Sequence, residues 1–287
     1  MSTTTVNLNA LKELSGKVAV ITGAGSGIGR ALAMACAKEG MKLALADVNE
    51  KDLAATVLLV QEAGAECMQT RCDVSKADDV EQLAIKTYER FGAAHLVFNN
   101  AGVSVAGPTW MSTVEDWQWS LGVNVMGVVH GIKSFVPRMG DQGAPGYVVN
   151  TASIAGLVTV VGSAVYCATK HAVVALSECL DHDLRLAKAE IGVSVLCPGF
   201  VQTGIADSER NRPSEFADMN PLSITYLKQA KRAMEASTLT ADDVANITLA
   251  AVKEGRFYIF THSDTQAAVG ARAAGIRGEM KPFLARF

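Results

Sequence analysis

The sequence predicts one α/β domain built on a doubly wound parallel sheet. Two observations carry that prediction. Short apolar runs ending in small or polar residues alternate with longer helix-like stretches along almost the whole chain. This is the pattern of βαβ units around strands buried on both faces. The first such run also leads straight into a glycine-rich turn, "TGAGSGIG" at residues 22–29.

In chain order, "KVAVIT" (17–22) is the first strand, followed by a helix over 28–39. "LALAD" (43–47) precedes a helix over 50–63, and "AECMQTRCD" (65–73) precedes one over 76–90. "HLVFNN" (95–100) leads to a helix over 113–138, and "YVVNTAS" (147–153) to one over 164–188. "GVSVLCPG" (192–199) is the sixth strand, and a helix over 241–254 comes before the last, "RFYIF" (256–260). Each strand is a short apolar run, and each helix is long enough to span the sheet. Two regions break the rhythm. Residues 200–239 far exceed a usual strand-to-helix connection, which predicts a lid. Residues 261–287 form a C-terminal extension with four basic residues in "ARAAGIRGEMKPFLARF". No repeat, linker or low-complexity tract divides the chain, so residues 1–287 read as a single domain.

Composition narrows the function. Apolar residues make up 49% of the chain and charged residues 19%, which suits a large packed interior. A net charge of −3 argues against a nucleic-acid surface, which needs a basic excess. The richest apolar window, "AGLVTVVGSAV", is broken by Gly156 and Gly162, so no membrane span is expected. "MSTTTVNLNALKELSG" lacks a basic segment followed by an apolar one, so no secretory signal is expected. Six cysteines without CxxC pairing read as reduced thiols of a cytoplasmic protein. The five histidines show no ligand spacing, so no metal site is expected.

Ligands of open α/β sheets bind beyond the carboxyl ends of the strands, and those ends carry the polar chemistry here. Gly23, Gly25, Gly27 and Gly29 allow a tight turn and close backbone approach to a pyrophosphate, with the next helix aiming its first N–H groups at the charge. Ile28 and Arg30 stand where the last glycine of the plain GxGxxG pattern falls, and no GK[ST] of a P-loop follows. Asp47 ends the second strand. Its carboxylate can accept bonds from the adenosine ribose and repel a 2′-phosphate, and no cation lies at 23–28 or 48–49, which favours NAD over NADP. An ordinary helix N-cap is the alternative for Asp47. Asp73 can cap the following helix or accept a bond from the adenine amino group. Ser153 sits at the end of the fifth strand, thirteen residues before Tyr166. Tyr166 and Lys170 are four apart, on one helical face, so that the ammonium lies over the tyrosine and favours its ionised form. A buried tyrosine beside a snorkelling lysine is the alternative.

"TGAGSGIG", "CDV", "NNAG", Asn124 in "GVNVMG", Ser153, "YCATK" and "PGFVQT" together resemble, in order and spacing, the short-chain dehydrogenase/reductase family. The likeness runs from about residue 16 to 205 and, more weakly, to 260. It implies a Rossmann-like fold, a nicotinamide cofactor, and a catalytic tetrad of Asn124, Ser153, Tyr166 and Lys170. The resemblance further implies that Gly23, Ser26, Gly27, Ile28, Gly29, Asp47, Asp73, Val74, Asn100, Ala101, Gly102, Tyr166, Lys170, Pro198, Gly199, Val201 and Thr203 hold the cofactor. Tyr166 would be the acid/base, its pKa lowered by Lys170, and Asn124 would position a water beside Lys170. Ser153, Ile154, Leu157, Tyr166 and Phe200 are the expected substrate contacts, with Val103, Ser104 and Met219 as further pocket candidates. Their apolar character, and a loose likeness of lid and tail to members handling bulky aryl or alicyclic alcohols, imply a hydrophobic secondary alcohol or ketone. Family members also imply a homotetramer or homodimer. A 3-oxoacyl carrier-type ketoreductase fits Asp47 less well, and a non-catalytic NAD-binding sensor is at odds with an intact tetrad. A serine-hydrolase role for Ser153 fails because no GxSxG elbow surrounds it.

Overall fold

The structure, a computed structural model, describes residues 10–216 and 223–282. Its seven strands are β1 (Val18–Thr22), β2 (Lys42–Asp47), β3 (Cys67–Arg71), β4 (Leu96–Asn99), β5 (Gly146–Thr151), β6 (Ile191–Cys197) and β7 (Tyr258–Phe260). They pair in parallel in the order β3-β2-β1-β4-β5-β6-β7. The chain winds outward from β1 in one direction and then returns to start β4 in the other. That reversal leaves a crevice beyond the carboxyl ends of β1 and β4.

Helices cover both faces, as fully buried parallel strands require. Helices α1 (Gly27–Lys38), α2 (Glu50–Glu62) and α8 (Ala241–Glu254) bury Leu32, Leu53, Val244 and Leu249 against one face. Helices α3 (Ala77–Phe91), α5 (Gly127–Asp141) and α6 (Ala164–Leu186) bury Leu83, Phe135, Met139 and Leu184 against the other. Every residue of β1, β4, β5 and β6 is buried.

Three stretches differ from the sequence reading. The single helix expected over 113–138 is α4 (Val114–Leu121), a π-helical turn (Gly122–Met126) and α5. Asn124 lies in that turn and exchanges two hydrogen bonds with the backbone of Val103, at 2.8 and 2.9 Å. Those tertiary bonds outweigh the local α-period, and π turns of this kind recur at functional sites. The predicted lid contains a 3₁₀ segment (Gly204–Asn211) and α7 (Ser223–Ala236); Met219 lies outside the described residues. The C-terminal extension contains α9 (Thr265–Arg277), whose alanine-rich sequence supplies helix propensity without an apolar stripe strong enough to announce it. Among the described residues no helix is long and apolar enough to cross a membrane.

A buried polar ladder ties the strands nearest the crevice to α6. The Asn99 amide donates to Asn150 Oδ1 (2.8 Å), and Asn150 donates to Ser177 Oγ (3.0 Å). Helix α5 passes so close that a Cβ on Gly131 would stand 1.9 Å from Asn99 Oδ1. Gly131→Ala must push the helix outward or break the ladder. We expect a loss of about 1–3 kcal/mol, the range for overpacking, measured as a lower midpoint in urea unfolding with an unchanged slope.

Candidate functional site

One cavity of about 1180 Å³ opens beyond the carboxyl ends of the strands. Its floor is the glycine turn. Gly23 and Gly27 adopt φ of +66° and +51°, which side chains rarely tolerate. A Cβ on Gly29 would lie 2.0 Å from the Gly23 carbonyl oxygen, and one on Gly23 would lie 2.8 Å from Ala101 Cα. The turn and the "NNAG" loop are therefore in backbone contact. Asn100 donates from its side chain to the Thr22 carbonyl (2.9 Å), while Thr22 Oγ1 accepts from the backbone N–H groups of Asn100 and Ala101 at 3.0 and 3.2 Å. Helix α1 starts from this turn with no acidic residue in its first turn and no side-chain cap from Ser26. Its positive end is thus uncompensated by α1's own side chains, and the backbone cradle admits a diphosphate while a Cβ at Gly23 or Gly29 would distort it. The residues fit a dinucleotide.

The two aspartates resolve differently from the bland readings of them. Helix α2 is capped by Asn49, whose side chain accepts from Asp52 N. Asp47 accepts instead from Gly25 N (2.8 Å) and Asn49 N (2.9 Å), bracing the glycine turn at the edge of the cavity. Asp73 does not cap α3 either, since Lys76 stands at that N-cap. It accepts from Ser75 N (3.1 Å) and Ser75 Oγ (2.7 Å), and with Val74 it lines the cavity. Two cations stand near this end of the cavity, of which the sequence reading named only Arg30. Arg30 is taken up by Thr56 Oγ1 (2.9 Å) and the Gly25 carbonyl. Arg71, the cross-strand partner of Asp47, is exposed and lines the same end.

Ser153, Tyr166 and Lys170 meet in the cavity, while Asn124 stands behind it. Ser153 begins the 3₁₀ turn after β5; its Oγ accepts from Ala155 N (3.1 Å) and donates to the Pro198 carbonyl (3.3 Å). Tyr166 occupies the first turn of α6 and Lys170 the next, with Nζ 5.6 Å from the tyrosine ring centre. The Lys170 ammonium donates to the Thr151 carbonyl at 2.8 Å. Asn124 is fully buried, and its amide also donates to Thr169 Oγ1 (3.0 Å), so its side chain holds the Val103 loop against α6. A Cβ on Gly102 would stand 3.4 Å from both Asn124 Oδ1 and Lys170 Nζ.

Electrostatics correct one expectation. Burial pushes the Tyr166 phenol up to about 12, with its hydrogen bond to the Ser153 side chain pulling the other way. Burial pulls Lys170 down to about 8. The cation favours phenolate in principle, but desolvation of both groups outweighs it in the ligand-free protein. At neutral pH Tyr166 is a phenol.

Pro198, Gly199, Val201 and Thr203 line the far side of the cavity, where Thr203 packs against Gly27. Gly199 is backed by the C-terminal extension: its N–H donates to Thr261 Oγ1 (3.3 Å), and a Cβ there would meet His262 Nδ1 at 2.8 Å. Nothing in the local sequence at 261–262 signals that role. Ile154, Phe200, Val103 and Ser104 line the cavity as expected. Leu157 does not; it packs into the cluster of Val128, Ala152, Val173 and Val174 behind the strand ends. Reading the residues next to each strand end missed Trp119, Val123, Val160, Ile205 and Tyr226, which reach the wall from helices and loops distant in sequence. The helical spacing of Trp119 and Val123 was the signal available for two of them.

Comparison with other proteins identifies the family to which this fold and cavity belong. A short chain dehydrogenase family model matches residues 17–214. The crystal structure of a short chain dehydrogenase/reductase from Burkholderia phymatum in complex with NAD superposes with a TM-score of 0.93 at 48% identity, covering 96% of this chain and 99% of that one. The CLA biosynthesis dehydrogenase/reductase of Lactiplantibacillus plantarum is 36% identical over 259 residues, 88% of this chain and 91% of that protein. The 1-deoxy-11-beta-hydroxypentalenate dehydrogenase of Streptomyces avermitilis is 34% identical over 259 residues, 90% of this chain and 88% of that protein. Sequence, sheet order and site geometry thus agree, and the chain belongs to the short chain dehydrogenase family of oxidoreductases.

Proposed function

We propose that the protein is an NAD-dependent alcohol dehydrogenase/carbonyl reductase acting on a bulky, hydrophobic secondary alcohol or its ketone. The observation that carries this reading is the convergence of Ser153, Tyr166 and Lys170 in the cavity that holds the glycine turn and Asp47. The NAD complex of the Burkholderia phymatum relative and the dehydrogenase names of the curated relatives support it. The glycine turn, Asp47, Asp73 and Val74, the Asn100–Gly102 loop and the Pro198–Thr203 segment would hold the dinucleotide. When bound, the nicotinamide supplies the hydride acceptor or donor. Ser153 donates a hydrogen bond to the substrate oxygen and orients it. Tyr166 gives its proton to that oxygen in reduction and takes the hydroxyl proton in oxidation. Lys170, held on Thr151, places a positive charge beside the phenol, and Asn124 fixes the loop that faces both.

The raised pKa of Tyr166 sets the direction of the pH dependence. A phenol that keeps its proton is ready to donate, so reduction runs at neutral pH; oxidation needs the phenolate and gains as pH rises. Between about pH 7 and 10, kcat/KM for oxidation should climb while that for reduction stays nearly level, because the phenol keeps its proton until pH approaches about 12. A flat oxidation profile would exclude Tyr166 as the titrating group.

We also propose one domain with a lid at about 200–239, a cytoplasmic setting suited to six free thiols, and a homo-oligomer, most simply a tetramer. The segment around α4 exposes Trp110 (86%) and Val114 (67%), with Leu121 and Met126 half-exposed, an apolar face that a second copy would cover. Light scattering should give a multiple of the 30.2 kDa chain mass, and a monomer at micromolar concentration would refute this.

The test of the reaction is a screen of secondary alcohols with NAD⁺ and NADP⁺, followed by nicotinamide absorbance. Activity with NAD⁺ on apolar alcohols is expected, with Asp47→Ala narrowing the preference for NAD⁺. Equal or better use of NADP⁺ by the wild type would show that Arg71 outweighs Asp47.

A further inference from the structure

We infer that Arg212, outside the cavity, is the positioning residue of its substrate end: it fixes the Trp119 indole as a wall and fastens the first half of the lid to α4. The inference rests on the alcohol-dehydrogenase reading for its substrate, but its geometry stands apart from the reacting groups.

The Arg212 side chain is only 7% exposed, and Asp116 beneath it 4%. Its Nη2 donates to Asp116 Oδ1 at 2.6 Å, while Nε and Nη2 fork onto Glu209 at 2.5 and 2.9 Å. The guanidinium carbon lies 4.7 Å from the Trp119 ring centre, a cation–π contact. Glu209 and Arg212 are three apart in the lid segment; Asp116 and Trp119 are three apart on α4, so both face the same side. Asp116 also closes the capping box of α4 by accepting from Thr113 N at 2.9 Å. One planar cation therefore joins the start of α4, a buried indole that lines the cavity, and the 3₁₀ segment after β6. Ser208 adds a second tie, accepting from Ser104 N at 3.0 Å. Charge complementarity holds Arg212 protonated: Glu209 and Asp116 raise its pKa against the opposing effect of burial.

The second half of the lid is held differently. An ion pair from α7, Lys231 to Asp207, spans 3.4 Å between side chains more than half exposed, a kind of pair that contributes little. Residues 204–212 are thus a fixed wall, while α7 rests on packing such as that of Tyr226 against Gly162. Lysine cannot replace Arg212, because the ammonium has no planar fork to serve two carboxylates while stacking on a ring.

The experiment compares wild type, Arg212→Met, Arg212→Lys and Trp119→Ala. Each is assayed with a small and an arylalkyl secondary alcohol, with NADH affinity from its fluorescence. The same arginine substitutions in a Trp110→Phe/Trp117→Phe background make Trp119 the sole reporter in acrylamide quenching. Arg212→Met should raise KM for the arylalkyl alcohol by about tenfold, more than it lowers kcat and more than it raises KM for the small alcohol, with NADH affinity within about twofold. Trp119 should become more quenchable, and Trp119→Ala should reproduce the selective KM change with the ion pairs intact. Arg212→Lys should fall between, and it is the variant read if Arg212→Met yields no folded protein. Unchanged quenching and KM ratio in a folded arginine variant would overturn the inference, as would an equal loss of NADH affinity. If wild type turns over no alcohol, the proposed function fails, and the quenching alone then decides whether Arg212 holds Trp119.

Discussion

Thr22 closes the seam on which the rest of the molecule depends. Its buried hydroxyl donates to the Phe98 carbonyl at 3.2 Å and accepts from the first two N–H groups of the loop after β4. At this point the sheet reverses direction, and two neighbouring strands send their connections to opposite faces. Without such a bridge the end of the seam would expose unpaired backbone groups next to a cavity, at a cost of about 1–3 kcal/mol for each one left unsatisfied. With it, the glycine turn and the Asn100–Gly102 loop are locked in contact, close enough that a side chain on Gly23 or Gly29 could not be accommodated without backbone displacement. Cradle and reaction site are set by the same few bonds.

The second constraint is burial of charge. Lys170 and Tyr166 sit where water is excluded, and both neutral forms gain from that. The hydroxyl of Ser153 opposes the desolvation of Tyr166 without cancelling it, and Cys197 does the same for Lys170. The site is poised as proton donor, and any further positive charge brought beside the phenol would shift it toward the phenolate. Asn124 supports the arrangement indirectly, through a π turn that gives up regular helix bonding to hold the Val103 loop.

The alternation of strands and helices, the doubly wound parallel sheet and the Ser153–Tyr166–Lys170 cluster were legible because each is written locally: an apolar run, a glycine cluster, a four-residue spacing on a helix. Roles set by distant partners were not. The Asn49 cap explains why Asp47 is free to brace the turn, and only the register of β2 with β3 brings Arg71 beside it. Leu157 looked like a pocket residue from its distance to Ser153, yet the 3₁₀ turn rotates it into the core behind the strands. Trp119 and His262 reach the site from across the fold, and the desolvation that raises Tyr166 depends on everything packed around α6.

The central claim is that Tyr166 moves the proton. Tyr166→Phe keeps the ring and its packing and removes the ionisable oxygen. Steady-state turnover of the best secondary alcohol should fall by about 10²–10⁴ in kcat, the scale of general acid–base catalysis, while NADH binding and thermal stability stay near wild type. Near wild-type turnover in a folded, NADH-binding Tyr166→Phe protein would contradict the account.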